Sequence, residues 1–243
     1  MKLADLARGV TIGGRFRLQR TLGRGSYGDV WLAEVINNPS LPSAVALKVY
    51  NQPERGDRFL ISEAKTALAF ENERLVKVFG AERIDGLFVM WMEYVDGDTL
   101  KGRLGNEENP RPVQLDEVLR WLHSIAEGLA YLHMQEPPYV HGDLKLENII
   151  IDRNVGVRLL DFGQSRTIED RFVETSGGGT LAYLAPEALG RHTDSRGKRY
   201  VASDIYAFGV VAYRVLTGQL PRSTLPEILN LTPFPRPREL NAD

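Results

Sequence analysis

Over the first part of the chain, apolar residues come in short runs separated by turn-forming clusters. Phe16–Leu22, Asp29–Ile36, Ala44–Tyr50, Leu75–Glu82 and Leu87–Met92 are rich in Val, Leu, Phe and Trp, with Gly, Pro, Asn or Asp between most of them. Such runs predict five strands. Asp57–Phe70 interrupts the series with an acidic start and apolar positions at Phe59, Leu60, Ala67 and Leu68, the pattern of an amphipathic helix. After Asp96-Gly97-Asp98 the period lengthens. Leu115, Val118, Leu119, Leu122, Ile125, Ala126 and Leu129 recur at steps of three or four and predict a long helix ending near Met134. Two short apolar runs follow, Asn148–Ile151 and Val157–Leu160, with a turn between them. Ser203–Leu216 is apolar on most sides, as a buried helix would be. Five prolines at 221, 226, 233, 235 and 237 leave room for only a short helix near Leu225–Leu231. The expected fold is α+β: a small antiparallel sheet with one helix, a short hinge, then a helix-rich lobe.

Composition narrows the function without deciding it. The chain has 243 residues, enough for one large domain or two joined lobes. Lys plus Arg number 30 against 32 for Asp plus Glu, so the basic excess of a phosphate-neutralising nucleic-acid binder is missing, and no nucleic-acid partner is expected. The lack of cysteine excludes disulfides, thiol nucleophiles and cysteine-ligated zinc. Residues 1–14 carry Lys2, Asp5 and Arg8 and lack the apolar run of a secretory signal. The most apolar stretch, Ile205–Leu216, is 12 residues long and contains Arg214, short of the roughly 20 a membrane span needs. A cytoplasmic domain with no membrane segment is expected.

Three constellations carry candidate chemistry. Gly23-Arg24-Gly25-Ser26-Tyr27-Gly28 joins two predicted strands, where glycines let backbone amides approach a polyphosphate. A dinucleotide fold would have such glycines opening a helix; between antiparallel strands they form a flap over ATP. Lys48 sits among Val45, Ala46 and Leu47, a desolvated position where an ammonium calls for partners. Glu63, on the predicted helix, is the candidate carboxylate, with Glu71 and Glu73 as alternatives. The third is Val140-His141-Gly142-Asp143-Leu144-Lys145-Leu146-Glu147-Asn148, followed by Asp161-Phe162-Gly163. Phosphoryl transfer requires a carboxylate to orient the attacking hydroxyl, hard oxygen ligands for a metal, and positive charge at the transferring group. Asp143 suits the first role, Asn148 and Asp161 the second, Lys145 and Lys48 the third.

Taken together and in this order, these segments resemble the eukaryotic-like (Hanks-type) Ser/Thr protein kinase catalytic domain over nearly all of residues 14–240. Gly179-Thr180-Leu181-Ala182-Tyr183-Leu184-Ala185-Pro186-Glu187 looks like the end of an activation segment, and Ser203-Asp204 like the start of the family's central buried helix. The resemblance implies an N-terminal extension 1–13, a sheet lobe 14–92, a hinge 93–97 and a helical lobe 98–243. It implies ATP and Mg²⁺, with Mn²⁺ as a substitute, and a protein substrate bearing Ser or Thr. By the same matching Met92 is the gatekeeper, and Glu93 and Val95 contact adenine through their backbone. Val30 and Ala46 would cover the ring, with Ile150 beneath it, and Leu22 joins the ATP-binding residues. Lys145 and Thr180 favour Ser/Thr over Tyr as acceptor.

The chain departs from the family pattern in three ways. Gly142 replaces the arginine that normally pairs with a phosphorylated activation-segment residue. Thr167, Thr175 and Ser176 remain candidate phosphorylation sites, but activity is expected not to depend on them. His-Gly-Asp also occurs in aminoglycoside and choline kinases, a small-molecule alternative that Lys145, the full glycine loop and Ala185-Pro186-Glu187 argue against. The family continues with helices that bring an arginine to the glutamate matching Glu187, so a further segment or a partner is expected to cover that end of the helical lobe. This third departure raises a non-enzyme alternative, a nucleotide-binding scaffold. Arg191, His192, Arg196, Lys198 and Arg199 read first as a solvated charged loop, with a preference for acidic residues near the acceptor as the sharper alternative.

Overall fold

The computed structural model describes residues 2–25, 28–50, 64, 67–105, 109, 111–153, 155–160, 181–185 and 198–240, with backbone only at 198–200. Two units divide the chain: Met1–Asn72 with Val76–Asp96, and Glu73–Leu75 with Gly97–Asp243.

The first unit is built on a six-stranded antiparallel sheet. Its strands are β1 (Thr11–Ile12), β2 (Phe16–Gly25), β3 (Gly28–Val35), β4 (Ala44–Tyr50), β5 (Val78–Ile84) and β6 (Leu87–Glu93), in the order β1-β2-β3-β4-β6-β5. Central β4 is buried along almost its whole length, as its near-continuous apolar sequence requires. Trp31, Val45, Leu47, Val49 and Val89 form one core cluster with Ile12, Phe16 and Leu18, and Leu3, Leu6 and Val10 pack against it. The first dozen residues thus join this core, a role their mixed polar sequence does not announce. Asp85 and Gly86 link β5 to β6 with φ of 52° and 85°, the left-handed pair that a two-residue hairpin turn needs. Within the predicted helix Asp57–Phe70, the described Ala64, Ala67 and Leu68 are helical. Residues 51–63, 65 and 66 lie outside the described residues.

The predicted strand Leu75–Glu82 starts later, at Val78. Leu75 instead forms a parallel bridge with Leu159 and belongs with Glu73 and Arg74 to the second unit. The Leu159 N–H donates to the Arg74 carbonyl at 2.8 Å, and Arg74 donates to the Val155 carbonyl at 2.8 Å and to Glu127 at 3.0 Å.

The second unit opens with β7 (Gly97–Thr99) and a short helix α1 (Leu100–Leu104), capped by the Thr99 hydroxyl, which accepts from the Gly102 N–H. Helix α2 (Leu115–His133) buries Val118, Ile125 and Leu129 of the periodic positions, together with Trp121 and Leu132, whereas Leu115, Leu119 and Ala126 are exposed. A 3-10 turn at Leu146–Asn148 leads into the hairpin of β8 (Ile149–Asp152) and β9 (Gly156–Leu159), and the small sheet has the order β7-β8-β9. Helix α2 runs so close to this hairpin that a Cβ at Gly128 would stand 2.9 Å from Leu159 Cδ1. A 3-10 turn at Leu181–Tyr183, the long helix α3 (Lys198–Thr217) and short helices α4 (Leu225–Leu229) and α5 (Pro237–Leu240) follow. Helix α3 begins five residues before the predicted Ser203.

Candidate active site

Sheet register decides which side chains of the first unit can act together. Val30 lies opposite Lys48 and Leu32 opposite Ala46 across β3–β4; Lys48 lies opposite Met90 and Ala46 opposite Met92 across β4–β6. Directly opposed residues share a face, as do residues two apart along a strand. Val30, Ala46, Lys48, Met90 and Met92 therefore line one face, and the core cluster with Leu47 and Val49 occupies the other. Lys48 is 4% exposed. Gly23 pairs with Val30 and Gly25 with Gly28, so the glycine segment is a strand-to-strand connection, as expected; Ser26 lies outside the described residues. A Cβ at Gly28 would collide with the Val49 carbonyl oxygen, which restricts that position to glycine. Leu22 is exposed at the end of β2 before this connection. After β6, the Glu93 N–H donates to the Lys77 carbonyl at 2.8 Å, and Val95 is buried. Arg20 donates to the Tyr94 hydroxyl at 3.0 Å, which ties β2 to the segment expected to be the hinge.

In the second unit the loop 141–148 converges on Asp143. Lys145 Nζ donates to Asp143 Oδ2 at 2.7 Å, and Asn148 Nδ2 donates to the same oxygen at 2.9 Å and to the Asp143 carbonyl at 2.8 Å. Both amide hydrogens of Asn148 are thereby spent on Asp143, which turns its carbonyl oxygen to the opposite side. Among the described residues nothing donates to Asp143 Oδ1. The Leu160 N–H donates to the Asn148 carbonyl at 2.8 Å, so the chain immediately before Asp161 is tied to Asn148. Ile150 stands half-buried on β8, paired with Thr99 of β7 and Arg158 of β9.

What fixes this loop is a residue that sequence reasoning gave no role. Asp204, on α3 and 1% exposed, accepts from the His141 N–H at 2.7 Å and from the Gly142 N–H at 2.9 Å. His133, at the end of α2, faces the same carboxylate with Nε2 2.8 Å from Oδ2. Gly142 has φ of 76°, in the left-handed region that other residues enter at a cost. One signal was present for Asp204: a lone carboxylate leading a run that is otherwise apolar, Ile205–Val211.

Glu63, Asp161, Thr180 and Glu187 lie outside the described residues, as do Thr167, Thr175, Ser176, Arg191, His192 and Arg196. In the second unit, an amide oxygen turned away from Asp143 suits a hard metal ion; in the first, a buried lysine on a sheet face suits a phosphate.

A family model described as the protein kinase domain matches residues 16–230. The Ser/Thr protein kinase pkn2 of Myxococcus xanthus is 34% identical over 249 residues, which cover 94% of this chain and 28% of that protein. PrkC of Bacillus subtilis, also a Ser/Thr protein kinase, is 30% identical over 88% of this chain and 32% of its own length. The chain spans about a third of the length of the curated relatives it matches. Among solved structures, the PknI kinase domain of Mycobacterium tuberculosis superposes with a TM-score of 0.70 at 25% identity, covering 98% of this chain and 85% of that one. Among the described residues no helix is long and apolar enough to cross a membrane. Protein kinases as a family use ATP with Mg²⁺. With a sheet unit carrying the buried lysine and a second unit carrying the braced aspartate loop, the chain belongs to the protein kinase family, in its Ser/Thr branch.

Proposed function

We propose that this domain transfers the γ-phosphoryl group of ATP to Ser or Thr hydroxyls of protein substrates, in a cytoplasmic setting where ATP is available. The observation that carries the proposal is the state of Asp143. Oδ2 is held by two donors, Lys145 and Asn148, while Oδ1 is left for the acceptor hydroxyl. Asp143 orients that hydroxyl and receives its proton as the oxygen attacks the γ-phosphorus. The bond from that phosphorus to the β–γ bridging oxygen breaks, and ADP leaves. Lys145, 2.7 Å from Asp143, offsets charge on the transferring group. Lys48, paired with Glu63, orients the α- and β-phosphates beneath the Gly23–Gly28 loop. Val30, Ala46 and Met92 present an apolar face to adenine, and the backbone of Glu93 and Val95 supplies its hydrogen bonds. Asn148 and Asp161 would hold Mg²⁺, which when bound would neutralise phosphate charge.

The direct test is incubation with ATP labelled at the γ-position and a generic basic protein, followed by acid hydrolysis to phosphoamino acids. Labelled phosphoserine or phosphothreonine is expected. Nucleotide binding without any transfer would overturn the proposal and leave a scaffold.

Regulation belongs to the same proposal. The family's arginine partner for a loop phosphate is replaced by Gly142, and Asp204 fixes the backbone there without any phosphate. Changing Thr167, Thr175 and Ser176 together to Ala is therefore expected to leave turnover within about three-fold, since no charge pair is lost. A collapse of turnover in that triple variant would show that loop phosphorylation is required after all.

A further inference from the structure

The lysine face of the sheet carries an aromatic ring. Tyr50 follows Lys48 by two positions on β4 and shares its face. Lys48 Nζ lies over the Tyr50 ring, 5.1 Å from its centroid, and both residues are buried, at 4% and 8% exposure. The ring is itself braced. It packs edge-on against Phe88, with centroids 5.6 Å apart and planes at 75°, and its hydroxyl lies 3.9 Å from Met90 Sδ. Met90 stands directly opposite Lys48 across β4–β6. A buried ammonium is stabilised by the negative face of a ring within about 6 Å, most strongly where water is excluded. Unlike a carboxylate, the ring face takes up no directed N–H···O bond from the lysine.

We propose that Tyr50 is a positioning residue for Lys48: its ring, locked by Phe88 and Met90, holds the ammonium where the nucleotide phosphates arrive. This rests on the reading that Lys48 receives those phosphates. A lysine stem has four carbons and many rotamers, and fixing them on binding weakens affinity. Tyr50 fixes them beforehand, from within the strand that bears the lysine.

The test compares the parent with Tyr50→Phe, Tyr50→Leu, Lys48→Met and the Tyr50→Leu/Lys48→Met double variant. Tyr50→Leu is expected to raise KM for ATP about ten-fold, and Tyr50→Phe, which keeps the ring, less than about two-fold. The KM for the protein substrate should stay unchanged in both, a split that a general loss of structure would not produce. The double-variant cycle is read in the nucleotide-free protein by thermal melting, where the drop in Tm caused by Tyr50→Leu should shrink once Lys48 is Met. An equal drop in both backgrounds, or an unchanged KM for ATP in Tyr50→Leu, overturns the proposal. Coupling in the melts together with parental turnover in Lys48→Met would instead remove the phosphate role of Lys48, and the positioning role of Tyr50 with it.

Discussion

Replacing Asp143 by Ala is expected to lower turnover by about three orders of magnitude while leaving KM for ATP within a few-fold. The reason lies in where its carboxylate stands. Lys145 and Asn148 grip one oxygen at 2.7 and 2.9 Å, so the other is presented in a fixed direction without further cost. The substitution removes the proton acceptor and also releases Lys145, while Asn148 keeps its bond to the backbone carbonyl of residue 143. Asp143→Asn separates these effects, because it preserves the shape and deletes the charge. It should keep the fold and still lose at least a hundred-fold in turnover, since a neutral amide is a poor acceptor for the hydroxyl proton. Rapid-quench or steady-state assays with labelled ATP measure both. Retention of more than a tenth of parental turnover in Asp143→Ala would remove this residue from the mechanism.

Local patterns made much of this molecule legible in the sequence. Strand β4 could be read because the run around Lys48 is almost continuously apolar, and the register then sets Val30, Ala46 and Met92 on the lysine's face. Helix α2 was equally plain, since seven apolar residues keep a helical period. Short elements escaped: β7 and α1 span three and five residues, too few for a period to show. Leu75 reads as strand by composition, but the backbone groups of residues 74 and 75 bond to residues 158 and 159, a partner far away in sequence. The same distance hid the main support of the site. Gly142 was visible as a departure from a motif, yet its left-handed φ and its bond to Asp204, 62 positions on, belong to the folded backbone alone.

That support carries the second large effect. Asp204→Ala is expected to destabilise the domain by about 3–5 kcal/mol and to lower turnover about a hundred-fold or more. The His141 N–H, the Gly142 N–H and His133 Nε2 all point at one carboxylate that is 1% exposed, so water cannot readily replace it. Each buried donor left without an acceptor costs about 1–3 kcal/mol. Chemistry suffers as well, because Gly142 immediately precedes Asp143, and a shift of about 1 Å in a positioned group can cost a hundred-fold in rate. Asp204→Asn gives an internal scale. Its one remaining oxygen can serve His141 and His133 in place of Oδ2, while its NH₂ would face the Gly142 N–H, donor against donor. About half of the alanine penalty is therefore expected for Asn, with turnover between that of parent and Ala. Denaturant melts and labelled-phosphate assays on the same preparations measure the two quantities. A loss of stability below about 1 kcal/mol in Asp204→Ala, or full turnover despite a larger loss, would mean that the loop holds its shape by other contacts and that α3 serves it only as packing.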